Sequence, residues 1–323
     1  MNIYRHIKCG LLLLILLATC QPENKTPNIL YINSYHDGYG SSDEITKGIK
    51  ETLSGKDVNL KILYMDSKRN SDPVYLKQIS GTISNMILKD PPKVIITSDD
   101  NAVKYIVSTH LKDLSVPIVF CGVNWSAEQY DLPSDHVTGI LEILPFKEGI
   151  EWARRYFPDL KKVYILSENT VSETKNTEFI SHIARNIGID LTYTLADDFL
   201  AWQSGFLEAN NCCDLIYMPT NGAIKHWNDE EAIAFVMNHL HIPIITCDDF
   251  MMPYAVFGLT KVQSEQGVRA AETALKILKG ADVANIPVTE NQQIDIWYNP
   301  DLAERLNFSL DEGHIQEVKI FHY

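Results

Sequence analysis

An alternation of strand-like and helix-like segments occurs twice along the 323-residue chain, and this repetition constrains the fold more than any other feature. Three pairs of segments match in the same order at offsets of 121 to 134 residues: 29–34 (ILYINS) with 163–168 (VYILSE), 94–96 (VII) with 215–217 (LIY), and 116–121 (VPIVFC) with 242–247 (IPIITC). One match alone is weak, because buried strands share their composition. Three ordered matches predict two similar lobes, each of about the size of an average domain.

The pattern within each repeat predicts parallel sheets covered by helices. Short continuous apolar runs such as Val94–Thr97 and Ile118–Phe120 are typical of buried parallel strands. Between such runs, apolar residues recur at helical spacing, as at Leu76, Ile79, Ile83 and Ile87. We therefore predict an α/β protein with two similar doubly wound parallel-sheet lobes, a hinge and a ligand cleft between the lobes.

The N-terminal residues predict export. Two basic residues precede the apolar run 11–18, which is far shorter than the ~20 residues that span a bilayer but matches a signal-peptide core. The run ends in Leu17-Ala18-Thr19-Cys20, which resembles the lipobox of bacterial lipoproteins. We expect residues 1–19 to be a signal peptide, Cys20 to carry the lipid and 20–27 to be a tether. The alternative is an ordinary cleaved signal with an incidental cysteine.

Charge and motifs exclude several function classes. The chain has 28 basic and 42 acidic residues, a net charge of −14, and is therefore repelled by phosphate backbones, so we expect no nucleic-acid partner. It contains no Gly-x-Ser-x-Gly, Walker, Gly-x-Gly-x-x-Gly or His-Glu-x-x-His motif, and we predict no enzymatic activity. Apart from Cys9 in the predicted signal peptide and the lipidation site Cys20, four cysteines remain, and they lack zinc-ligand spacing. We expect these four to be small buried apolar residues, although export also permits disulfides. No cofactor or metal is predicted.

The candidate ligand residues follow the predicted strands, because ligands of open parallel sheets bind beyond the carboxyl ends of the strands. In the first lobe they are Ser34, Tyr35, His36, Ser98, Asp99, Asp100, Asn124 and Trp125. In the second lobe they are Asn169, Thr170, Thr220, Asn221, Asp248 and Asp249. Facing one another across a hinge, these hydroxyls, amides, carboxylates and aromatic rings suit a small polar or zwitterionic ligand.

Each candidate also has a structural alternative. Asp99 and Asp100 precede a helix, where carboxylates cap free N–H groups; alternatively, one of them binds a ligand ammonium while the helix N-terminus attracts a ligand carboxylate. The amide and hydroxyl residues of the second lobe are also typical of ordinary turns. His36 is a structural hydrogen-bonding group or a functional one. Trp125 either lines the cleft or packs at the edge of a lobe.

The same loops carry a family resemblance. Segments 33–36 (NSYH), 95–102 (IITSDDNA), 119–124 (VFCGVN) and 251–262 (MMPYAVFGLTKV) resemble the ABC transporter substrate-binding protein family with the type I periplasmic-binding fold. The resemblance covers roughly Asn28 to Phe308 and is greatest to the lipoprotein and sensor-associated branch of that family. It implies a bilobed receptor that closes over a ligand, and some members bind amino acids, including aromatic ones.

The resemblance also implies that the chain crosses between the lobes more than once. We expect lobe one to comprise 28–145 plus about 249–265, lobe two 146–248 plus about 266–310, and 311–323 to be a C-terminal tail, with helix Gly267–Leu278 near the hinge. Held at a membrane surface by lipid alone, the closed receptor is expected to deliver its ligand to an ABC permease. The alternative is a sensing module that signals to a membrane partner such as a histidine kinase.

Overall fold

The computed structural model describes residues 28–310 and 312–323 and contains two separate sheets, each packed against helices. The predicted signal peptide 1–19, the lipidation site Cys20 and the tether 20–27 lie outside the described residues. The two sheets have separate apolar cores, as two lobes require.

The first lobe is built on six parallel strands: β1 (Asn28–Asn33), β2 (Asn59–Tyr64), β3 (Val94–Ser98), β4 (Ile118–Asn124), β5 (Val137–Glu142) and β11 (Thr289–Glu290). Their order in the sheet is β11-β5-β4-β3-β1-β2. The three central strands β1, β3 and β4 are almost wholly buried, which explains their continuous apolar sequences.

Helices cover both faces of the first sheet: α1 (Gly40–Leu53), α2 (Pro73–Lys89), α3 (Asp99–Ala102), which continues as a π-helix over Val103–Leu111, and α8 (Gln263–Leu278). Helices α1 and α8 pack on one face, and α2 and the π-helix pack on the other. Helix α8 lies very close to α1, because a Cβ on Gly267 would come within 2.0 Å of the Ile45 carbonyl oxygen. Gly267 is therefore needed for this close helix contact.

The second lobe is built on seven strands: β6 (Lys162–Glu168), β7 (Asp190–Ala196), β8 (Leu215–Tyr217), β9 (Ile244–Thr246), β10 (Phe257–Lys261), β12 (Ile294–Tyr298) and β13 (Lys319–Ile320). Their order is β13-β12-β10-β9-β8-β6-β7, with β12 antiparallel to β10. The run β7-β6-β8-β9-β10 has the connectivity of β2-β1-β3-β4-β5 in the first lobe. The predicted repetition and the predicted fold class are confirmed.

Six further helices complete the second lobe: α4 (Phe146–Arg154), α5 (Val171–Asn186), α6 (Phe199–Cys212), α7 (Asp229–His239), α9 (Pro300–Arg305) and α10 (Glu312–Ile315). The side chains of Asp198 and Asn228 accept hydrogen bonds from the first turns of α6 and α7, and thus fix where these helices begin.

The later part of the chain crosses between the lobes differently from the expectation. Segment 249–265 was expected in lobe one, but β10 pairs with β9 in the second sheet, because β10 is the counterpart of β5 in the repeat. Segment 266–310 was expected in lobe two, and its later part, with β12 and α9, does lie there. Its earlier part does not, because α8 packs on α1 and β11 joins β5 in the first sheet. The expected C-terminal tail contributes β13, which pairs with β12.

Three connections therefore join the lobes, after β5, after β10 and after β11, and they are hydrogen-bonded to one another. The Asn291 side chain accepts from the Ile143 N–H at 2.7 Å, and the Val262 N–H donates to the Gln293 carbonyl at 3.2 Å. The Glu265 carboxylate, in the first turn of α8, accepts from the Gln292 and Gln293 N–H groups at 2.9 Å each. These bonds make one hinge of the three segments.

The four cysteines of the described part of the chain are free. Cys121 and Cys247 are buried, as expected, but Cys212 is exposed and Cys213 is half-buried. The expectation of four buried cysteines was wrong for this pair, because both residues lie at the solvent-facing C-terminal end of α6. Within residues 28–310 and 312–323, no helix has the length and apolar character needed to cross a membrane.

Candidate ligand-binding cleft

A cavity of about 460 Å³ lies between the two lobes at the carboxyl ends of the strands. The first lobe lines it with Tyr35, Lys68 and Asn101 among others, and the second lobe lines it with Asn169, Thr170, Ser172 and Lys225 among others. A second cavity of about 350 Å³, lined by Tyr39, Asn221, Trp227 and Phe250 among others, shares Gly222 and Ile224 with the first. Tyr35, Asn169 and Thr170 are thus the predicted residues that line the larger cavity.

Two of the predicted serines hold the first lobe together. The Ser34 hydroxyl donates to the Ser98 carbonyl at 2.5 Å and accepts from the Ala102 N–H at 2.8 Å, so it ties the end of β1 to the start of α3. The Ser98 hydroxyl bonds to the Tyr31 hydroxyl at 2.9 Å. Both serines are fully buried, and their hydrogen bonds are made within the lobe.

The two predicted aspartates after β3 differ in their surroundings. Asp99 has a backbone φ of +67°, a strained conformation that clusters at functional sites, and its buried Oδ2 has no hydrogen-bond partner among the described residues. Burial, and then the charge of Glu142, raises the pKa of Asp99 well above its usual range. Asp100, in contrast, accepts bonds from Tyr130, Asn124 and Lys175 at 2.7–2.9 Å.

A group of contacts on one side of the cleft joins the lobes directly. The Lys175 ammonium of α5 donates to Asp100 Oδ1 at 2.9 Å and to the Ser126 carbonyl at 2.7 Å, both in the first lobe. The Trp125 indole N–H donates to Asn176 Oδ1 at 2.9 Å. Its ring stacks on Phe179 with ring centroids 5.5 Å apart. Trp125 and Asp100 are therefore placed to hold the lobes together.

A buried ion pair crosses the centre of the cleft. The Lys68 ammonium, in the loop after β2, forms a salt bridge with Glu168 at the end of β6, and only 6% of the Lys68 side chain and none of the Glu168 side chain is exposed. Burial opposes the charge on Lys68, but Glu168 and the hydroxyls of Tyr39 and Tyr35 outweigh it and raise the Lys68 pKa. Glu168 also accepts from the Ala223 N–H of its own lobe.

A second buried charge cluster lies beside the hinge. Lys261, the last residue of β10, is 3.1 Å from the Glu142 carboxylate of the first lobe and 2.9 Å from Asp248 of the second. The Gln263 amide also donates to Asp248 at 3.2 Å. The predicted candidate Asp248 is thus already bound by two groups of the protein.

The remaining candidates of the second lobe have mixed roles. Thr170 accepts from the Glu173 N–H at 3.2 Å and caps α5, while the Asn169 amide donates to Asp197 at 3.0 Å. The Thr220 hydroxyl lies 3.4 Å from the Tyr39 hydroxyl across the cleft. The predicted ligand roles of these residues remain predictions.

Two candidates lie at the margin of the cleft. His36 is half-buried and packs against Tyr39, with its Nδ1 3.8 Å from Asp66, and burial followed by the Arg69 charge lowers its pKa. Asp249 is exposed at the start of a 3-10 turn. No group of three or more His, Cys, Asp or Glu side chains among the described residues has metal-binding geometry.

Sequence reasoning did not select the three buried lysines of the cleft. Lys68 follows the carboxyl end of β2, and the rule that placed the other candidates after strands would have found it had that loop been included. Lys175 lies inside a helix and Lys261 at the end of a strand. Their burial results from the approach of the other lobe, which the local sequence does not record.

The fold and the cleft define a two-lobed binding protein. Both lobes share one connectivity, three hinge connections join them, and a polar cleft lies between them. The family model described as ABC transporter substrate binding protein matches residues 35–318, and the chain belongs to that family. The family resemblance seen in the sequence is confirmed. Proteins of this family bind substrates and are not enzymes, as predicted, and they act outside the cytoplasm.

A tyrosine-binding protein of Clostridioides difficile is 22% identical over 216 residues, which are 63% of this chain and 61% of the length of that relative. Among solved structures, a conserved domain protein of Vibrio cholerae has a TM-score of 0.72 at 18% identity, with 92% of this chain and 99% of that chain covered. The ABC domain of a Streptococcus pneumonia protein in complex with L-Trp has a TM-score of 0.70 at 16% identity, with 91% and 99% covered. These structures share the fold.

Proposed function

We propose that the protein encloses one small polar or zwitterionic, amino-acid-like ligand between its lobes and delivers it to an ABC permease. The observation that carries this proposal is the cavity of about 460 Å³ lined by both lobes. Its volume lies within the range of small-molecule sites, roughly 300–1,000 Å³. It is lined by hydroxyls, amides, the Tyr35 ring, the Asp197 carboxylate and the cationic side chains of Lys68, Arg69 and Lys225, and groups of both charges suit a zwitterionic amino acid.

Closure follows from differential affinity. A ligand that contacts both lobes gains contacts only in the closed state, and it shifts the equilibrium toward that state by this difference in free energy. The Lys175–Asp100 and Lys68–Glu168 pairs likewise form only when the lobes meet. The closed form therefore presents a surface that a membrane partner can distinguish from the open form.

The names of two similar proteins support an amino acid as the ligand. One is a tyrosine-binding protein, and the other was solved in complex with L-Trp. Calorimetric titration of the protein from Gln21 onward with L-tyrosine, L-tryptophan and other amino acids tests the ligand class. We expect saturable binding of at least one amino acid at one site per chain, and the absence of binding by every amino acid would refute this class.

The anchor and the partner need separate tests. We propose that lipid on Cys20 holds the protein at the outer side of a membrane, and Cys20→Ala is expected to release it into the soluble fraction. Deletion of the protein is expected to abolish uptake of its ligand, which delivery to a permease requires. Retained uptake together with a lost transcriptional response to the ligand would instead favour signalling through a partner such as a histidine kinase.

A further inference from the structure

The Lys68 side chain lies where a ligand cation would be expected. Its ammonium lies 4.9 Å from the ring centroid of Tyr35 and 5.3 Å from that of Tyr39, and it forms an ion pair with the fully buried Glu168. The two tyrosine rings are nearly perpendicular, with an interplanar angle of 71° and centroids 5.1 Å apart. The rings come from the first lobe and the carboxylate from the second.

Two aromatic rings and a carboxylate around one ammonium form an aromatic cage. Ring faces attract a cation within about 6 Å of the centroid, and proteins use such cages to bind organic ammonium ligands. The cage, formed by Tyr35, Tyr39 and Glu168, can therefore hold an ammonium group other than that of Lys68.

Glu168 needs a cation in the cleft. Its carboxylate is fully buried and pairs with the Lys68 ammonium. An unpaired buried charge is costly, so another cation has to take the place of Lys68 when that side chain leaves. The cavity beside the pair is lined by Lys68, Arg69, Lys225 and one carboxylate, Asp197, so Glu168 is the buried carboxylate that a ligand cation would pair with.

We propose that Lys68 fills the ammonium subsite of this cleft from within the chain, and that the ligand is an organic ammonium compound whose cation displaces Lys68 from the cage. The proposal rests on the proposed function in that the ligand enters this same cleft. Lys68 also lines the cavity of about 460 Å³, so its side chain has space to move into when it leaves Glu168. Lys68 then competes with the ligand and stabilises closure when no ligand is bound.

Chemical rescue tests the subsite without knowledge of the natural ligand. The variant Lys68→Ala leaves the cage empty, and n-butylammonium chloride carries the deleted alkyl chain and cation. We expect n-butylammonium to raise the melting temperature of Lys68→Ala saturably, with an apparent affinity at least tenfold higher than for the unmodified protein. Neutral n-butanol and anionic butyrate are expected to have no saturable effect on either.

Two controls restrict the result to the cage. Lys61→Ala removes an exposed lysine of β2 and is expected to gain no n-butylammonium response. Adding Glu168→Gln to Lys68→Ala is expected to abolish the response, because the anionic side of the cage is lost. Lys68→Ser provides the same space with a polar side chain and serves if Lys68→Ala does not fold.

Two results would overturn the proposal. One is the lack of a saturable n-butylammonium effect on folded Lys68→Ala or Lys68→Ser. The other is butyrate binding that the unmodified protein shows and Lys68→Ala loses, because Lys68 would then bind ligand carboxylates. Neither result depends on amino-acid binding. Conversely, n-butylammonium rescue without binding of any amino acid would refute the proposed ligand class and leave the ammonium subsite established.

Discussion

Replacing Lys175 with methionine removes an ammonium that bonds across the cleft and keeps an unbranched side chain of similar length. In the closed state the Lys175 ammonium donates to Asp100 at 2.9 Å and to the Ser126 carbonyl at 2.7 Å. In an open state water satisfies all three groups. The substitution therefore weakens the closed state relative to the open state.

The size of the effect follows from the two lost bonds. A hydrogen bond to a charged group contributes about 1.5–3 kcal/mol net, and the lower end applies because methionine also avoids the desolvation of the lysine. Two such bonds give about 3 kcal/mol, or a shift of about 100-fold toward the open state. Asp100 keeps its bonds to Tyr130 and Asn124 and stays within a hydrogen-bonded site.

Energy transfer between dyes on the two lobes measures this shift. Cysteines introduced in place of Leu88 in the first lobe and Tyr193 in the second can carry the dyes, because these side chains are 52% and 55% exposed. The native Cys212 and Cys213 are first replaced by serine, so that they do not react with the dyes. Lys147→Met is the matched control, since Lys147 is exposed and its partner lies on its own helix. An unchanged distribution of transfer efficiencies in Lys175→Met would refute the reasoning, as would an equal shift in Lys147→Met.

Three further predictions test other contacts. A Cβ on Gly222 would lie 2.4 Å from the Tyr39 ring, so Gly222→Ala is expected to weaken closure about tenfold in the same dye assay, and unchanged transfer would contradict this. Gly267→Ala is expected to lower the free energy of unfolding in urea by about 1–3 kcal/mol, because α8 must move away from α1. Gly81 has open space around it, so the control Gly81→Ala is expected to stabilise α2 by up to about 1 kcal/mol. Burial, and then the charge of Glu168, raises the pKa of Glu173 to about 7 from 4.5. The folded state therefore keeps this proton to a higher pH than the unfolded chain does, and stability falls as pH rises from about 4.5 to 7. Glu173→Gln is expected to remove up to about 3 kcal/mol of that fall. Parallel plots of stability against pH for the variant and the unmodified protein would contradict this.

The sequence predicts the repeated lobes well because each strand and helix carries its own pattern. It also predicts which edge of each sheet carries the polar loops, since that follows from strand direction. The placement of β10 was wrong because nothing in the local sequence of Phe257–Lys261 states which sheet it joins. Because β10 occupies the same position in the second repeat as β5 in the first, the repeat itself would have predicted that β10 joins the second sheet.

The candidate site is less predictable than the fold, because its chemistry depends on how the lobes meet. Ser34 and Ser98 have the residue type and position of ligand contacts, but their hydroxyls bond within the first lobe. Lys68 and Glu168 are exposed loop charges by sequence, and they become a buried pair only across the closed cleft. Local patterns do not contain this orientation of one lobe against the other.

Enclosure of a ligand between the two lobes is the function that we propose for this protein. The most direct test follows the interlobe dye distance and the melting temperature together, while the protein is titrated with amino acids and with their decarboxylated amines. We predict a saturable change in transfer efficiency with at least one compound, accompanied by stabilisation of about 2.7 kcal/mol at 100 times the dissociation constant, which raises the melting temperature of a chain of about 300 residues by roughly 4–5 °C. Stabilisation without a change in interlobe distance, or no response to any of these compounds, would contradict it.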